Sequence, residues 1–148
     1  MLLLSKFLHL AGAIIWLGGM VFMLVSLRPV AVAQMQPSAR LTLLSAVMSR
    51  FFVLVWASVV ALLLTGLYMM MTTGMGAAPK GWHWMLGIGL LMFAIFGHLY
   101  YGPFKRLKRA VARADWARAS VHMAKIHTLV VTNFCLGWAA VAAVVFVS

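Results

Sequence analysis

The residues of this chain that could do chemistry are few and mostly of two kinds. Five histidines (His9, His83, His98, His122 and His127) and 12 methionines share 148 residues with one acid, Asp115, and one cysteine, Cys135. Neutral imidazole ligates transition metals and haem iron, and thioether sulfur suits the soft ion Cu(I). Other chemistries lack their parts. A single acid excludes paired-carboxylate hydrolysis and a carboxylate proton relay. No glycine-rich phosphate loop with its lysine is present, which excludes nucleotide-driven transport. A lone cysteine cannot form an intrachain disulfide or a paired-thiolate metal site, and Cys135 is expected to pack as a small hydrophobe. Redox chemistry or metal handling remains.

The elements that must position these groups are membrane helices. Hydrophobic residues make up 66% of the chain and charged residues 9%, too little polar surface to cover a water-soluble globule. Crossing a hydrocarbon core takes about 20 residues at helical rise. Four apolar stretches are that long, about 3–27, 51–73, 82–101 and 125–147. The first is longer than a signal-peptide core and lacks an Ala-x-Ala site, so it reads as a span. Period-two alternation is absent, which disfavours a lipid-facing barrel. The expected fold is all-α: a four-helix up-down bundle embedded in a membrane, forming one transmembrane domain over residues 1–148, without internal repeats.

Charge distribution predicts the orientation. Of the 12 basic residues, Arg28, Arg40 and Arg50 lie between the first two stretches, and seven more lie between or beside the last two. Only Lys6 and Lys80 lie toward the other face. The positive-inside rule makes the basic loops cytoplasmic and both termini periplasmic, in a bacterial inner membrane. The net charge of +11 is expected to set topology and attract anionic lipid headgroups rather than nucleic acid. Turns are predicted at Arg28-Pro29, at Gln36-Pro37-Ser38 and over Gly74–Pro79, with Pro79 opening the third helix. Gly102-Pro103 is expected to interrupt that helix, and the amphipathic residues after it to lie on the membrane surface.

Up-down topology sorts the histidines. His9 and His83 fall toward the outer face; His98, His122 and His127 fall toward the inner one. Gly12, Ala13 and Trp16 share the helical face of His9, and Gly87 lies one turn from His83. Small residues beside a histidine leave room for a flat macrocycle, so His9 and His83 could clamp a haem between facing helices. The same glycines could instead be contacts between helices, and His83 with Trp82 and Trp84 an interfacial belt. A second haem could use His98 with His122 or His127, although the depth and the face of those two disagree. Methionine offers a different metal. Met69, Met70, Met71 and Met75 cluster at the outer end of the second stretch, near His83 and Met85, which with His9 would suit copper; methionine is also an ordinary apolar filler.

The stretch Leu8-His9-Leu10-Ala11-Gly12-Ala13-Ile14-Ile15-Trp16-Leu17-Gly18-Gly19 resembles the opening helix of the copper resistance protein D (CopD) family. The same His-Trp-Gly spacing resembles the HemJ-type protoporphyrinogen oxidases, four-helix haem b membrane proteins. The likeness continues through Arg28-Pro29, Arg50-Phe51-Phe52, Thr65-Gly66, Trp82-His83, the Lys105–Arg109 tract and Asn133 to Gly137. It implies a haem b or copper function with His9 and His83 as ligands. The HemJ pattern has a lysine two residues after the third-helix histidine; here that position is Met85, so protoporphyrinogen oxidation is not expected. The leading expectation is a haem b protein that moves electrons between a quinone or periplasmic partner and a recipient. Copper uptake or delivery is the alternative. A third reading is an accessory subunit of a larger membrane complex or homo-oligomer, with structural histidines.

Overall fold

The computed structural model describes residues 1–147 and contains, among them, helices and turns but no strand. Four long helices carry the fold: α1 (Leu2–Gln34), α2 (Pro37–Thr73), α3 (Lys80–Ala112) and α4 (Trp116–Phe146), of 33, 37, 33 and 31 residues. All four are long and apolar enough to cross a membrane. Their surface is inverted relative to a soluble protein, with Ile14, Val53, Leu64 and Phe146 all more than 60% exposed, as a hydrocarbon solvent permits. The helices form the expected antiparallel bundle, α1 lying along α2 and α3 along α4.

Each helix is longer than its apolar stretch, α1 and α3 because a proline expected to break each of them does not. Phe22–Leu27 winds as a π-helix, with Arg28 N–H reaching back five residues to Met23 O, and the helix then runs through Pro29 to Gln34. Tyr100–Phe104 does the same around Pro103. A wide π turn relieves the clash between a proline ring and the preceding turn and re-partners the freed backbone. The turns expected at Arg28-Pro29 and Gly102-Pro103 are therefore corrected to helix. The residues after Pro103 do not lie apart on a surface either: Phe104, Leu107 and Ala110 are buried against the bundle.

The remaining turns fall where expected. Gln36 is extended ahead of Pro37. Gly74 ends α2 with φ +88°, a conformation few other residues tolerate. Pro79 caps α3, one residue before its start. Asp115 caps α4 by accepting the Arg118 N–H at 3.2 Å, which gives the lone acid a structural task.

The bundle has two unlike ends. At the basic end, Phe52, Trp56, Phe96, Tyr100 and Phe104 interlock edge to face, at centroid separations from 4.7 to 6.3 Å. At the end holding both termini, Gly81 lets α3 touch the last turn of α4. Its N–H donates to Val147 O at 3.1 Å, and a Cβ there would strike Ala143 O. Between that contact and the aromatic cluster the helices stand apart.

Candidate functional site

The gap is a cavity of about 410 Å³ that all four helices line, within the roughly 300–1,000 Å³ usual for small-molecule sites. Among bulkier apolar side chains its lining includes small and soft residues from every helix. α1 supplies His9, Ala13 and Trp16; α2 supplies Gly66, Met69 and Met70; α3 supplies Met85, Gly89 and Met92; α4 supplies Gly137 and Ala140. Lys6 is the one charged residue on the wall. The floor is Trp16, 4% exposed, stacked on Phe93 at 5.7 Å and edge-on to Phe96 at 6.0 Å.

His9 is the one imidazole among the residues lining this cavity, and its neighbours determine how it can act. Its Nδ1 lies 3.0 Å from Thr65 Oγ1 on α2. The Thr65 hydroxyl has one hydrogen, which it donates to Ala61 O in its own helix. With its hydrogen given to Ala61 O, the hydroxyl accepts from His9, an arrangement in which Nδ1 carries the proton and Nε2 keeps its lone pair. A partner that fixes the tautomer is the usual support of a metal-ligating histidine. Gly66 completes the seat, since a Cβ there would lie 3.2 Å from His9 Cε1.

The residues singled out from the sequence divide into those this cavity gathers and those it does not. His9, Trp16, Met69, Met70 and Met85 line it. His83 does not: it is exposed on α3, with Nδ1 3.3 Å from Pro79 O. The helical turn that points Trp82 and Met85 inward carries His83 past the cavity's edge. Gly87 is likewise exposed, with open space where a Cβ would be. Gly12 is buried in the contact between α1 and α2, where a Cβ would lie 3.3 Å from Leu62 Cγ. Met71 and Met75 are 73% and 57% exposed.

The inner histidines are not gathered into one site. His98 is exposed beside Gly102 of its own helix. His122 sits among the cations Lys125, Arg106 and Arg118, with a buried Nδ1 lacking a partner. His127 is placed near Arg28. Cys135 is exposed rather than packed inside. Among the described residues no group of three or more His, Cys, Asp or Glu side chains is placed to hold a metal.

Sequence reasoning passed over three features of the cavity: Thr65 as the orienting partner of His9, Gly66 as its seat, and Met92 with Gly89 and Gly137 in the wall. Thr65-Gly66 was visible as a dipeptide, but the pairing with His9 spans 56 residues and has no local signal.

A sequence model of the copper resistance protein D family matches residues 45–147. The matched segment begins after α1, so it contains the α2 to α4 walls of the cavity but not His9 or Trp16. No curated protein and no solved structure matches the chain. With well over half of its 148 residues matched and four helices able to cross a membrane, this multi-pass membrane protein belongs to the copper resistance protein D family.

Proposed function

We propose that the chain takes Cu(I) as cargo in the terminal-end cavity and delivers it across a bacterial inner membrane. The observation that carries this reading is His9, its Nδ1 engaged with Thr65, on a cavity whose walls also bring Met69, Met70, Met85 and Met92. Imidazole with thioethers is a soft ligand set suited to Cu(I), and the copper-resistance family supports that ion. Charge asymmetry supports both termini, and with them the cavity, on the periplasmic side; a reporter fused after Ser148, which lies outside the described residues, is expected to be active only there. The test is competitive Cu(I) titration of the purified chain in nanodiscs. His9→Ala should remove binding at the cavity, and paired Met70→Leu and Met85→Leu substitutions should weaken it. Cavity binding unchanged in His9→Ala would overturn the reading.

One observation favours a second reading, haem b with an electron-transfer role. The cavity is far larger than an ion requires, its wall is apolar, and Lys6 at its rim could pair with a carboxylate. In that case His9 and a wall methionine would hold the iron, since His83 lies outside the cavity. Bound haem would supply one-electron chemistry; the chain would supply the ligand, the dry wall and the cation. A reduced-minus-oxidised spectrum with metal analysis on one sample decides. Stoichiometric haem without Cu(I) would reverse the order.

A further inference from the structure

Below the cavity, on the other side of Trp16, the bundle encloses a second space of about 20 Å³. Trp16 borders both spaces and is the residue their linings share. The smaller one has room for a single water-sized body. Met20 and Met23 of α1 and Asn133 of α4 are among the side chains around it.

Asn133 is 3% exposed and is half satisfied. Its Nδ2 donates to Met92 O at 3.2 Å. Only the amide nitrogen can donate to a carbonyl, so the orientation of the side chain is settled. Oδ1 is left buried without a partner, a costly state in an apolar interior. Met20 and Met23 stand three residues apart, neighbours on one helical face. Met23 belongs to the π turn at Phe22–Leu27, the kind of irregularity often found at functional positions. Thioether sulfur is a poor partner for water but a good one for a soft monovalent cation.

We propose that this space is a second, deeper Cu(I) subsite, formed by the Met20 and Met23 sulfurs with Asn133 Oδ1 as a weaker third donor. Trp16 is the side chain that must turn aside for the ion to descend into it from the cavity. The copper stays Cu(I) throughout, so no electron is transferred. This inference rests on the copper reading above. It gives the buried amide oxygen a positive charge to face, and it places soft ligands where an ion leaving His9 for the basic end would next arrive.

The test uses the full chain in nanodiscs with Cu(I) as the probe. Wild type should bind about two Cu(I) per chain and the Met20→Leu/Met23→Leu double variant about one. Leucine for methionine conserves volume, so that variant should fold. His9→Ala should also bind about one, and X-ray absorption should show sulfur-dominated coordination for the ion that remains. An unchanged count in the methionine double variant, or a single bound ion lost in His9→Ala, would overturn the deeper subsite alone. An unchanged count in His9→Ala would overturn the cavity site instead, and no Cu(I) bound by wild type would overturn both.

Discussion

The two halves of the bundle are built from the same four helices, yet one is closed and the other open. At the basic end Phe52 and Phe96 are 4% and 2% exposed and sit in a continuous edge-to-face cluster. At the terminal end Gly66, Gly89, Gly137 and Ala140 are among the inward-lying residues, and the helices enclose the cavity. Without a hydrophobic drive between helices in lipid, side-chain shape decides where they meet. Large rings fill one half and lock it. Small residues facing one another in the other half leave space, which the Gly81 contact with the end of α4 keeps from splaying. Tight packing and open space are thereby assigned to different ends.

The sharpest way to break that division is at Phe52, which contacts Phe96, Tyr100 and Phe104 at once. Phe52→Ala should cost about 3–5 kcal/mol of stability, as for a large ring removed from a packed core. Thermal unfolding in nanodiscs should show a large fall for Phe52→Ala and almost none for His9→Ala, whose ring borders a void. Similar losses in the two variants would mean that the cavity end bears load as well. The second expected effect falls on binding. Gly66→Val puts bulk where a Cβ already lies 3.2 Å from His9 Cε1. Displacing the ring should weaken Cu(I) binding about 30-fold, or ~2 kcal/mol, with little change in unfolding temperature.

Much of this fold was legible from residues alone. The four spans follow from hydropathy and length, and Gly74 and Pro37 mark the turns they occupy. What was illegible has identifiable causes. Arg28-Pro29 and Gly102-Pro103 signal breaks in water, but a membrane helix cannot release its backbone and winds a π turn instead. For the site, His9 with Trp16 was a readable face because both lie on one helix. His83 was paired with His9 by depth, yet the phase of α3 turns Met85 rather than His83 toward the cavity. Depth can be estimated by counting residues, whereas rotation about the helix axis depends on how neighbouring helices pack. The smaller void beside Asn133 was likewise out of reach, since Met20, Met23 and Asn133 come together only through tertiary packing.

The smallest expected effect is the most specific, because it tests the state of one proton. Thr65 accepts from His9 Nδ1 while donating to Ala61 O, so the tautomer of His9 depends on a hydroxyl on the facing helix. Thr65→Val keeps the shape and removes the acceptor. The loss should be that of one neutral hydrogen bond, about 1 kcal/mol or some fivefold in Cu(I) affinity, while Thr65→Ser should restore most of it. Nitrogen NMR of His9 should report protonated Nδ1 and bare Nε2 in the copper-free wild type, and a mixture of tautomers in Thr65→Val. A wild-type ring protonated on Nε2 would contradict the hydrogen-bond assignment. The cavity would then hold a donor where a metal requires a lone pair, and copper would have to be held by the methionines without His9.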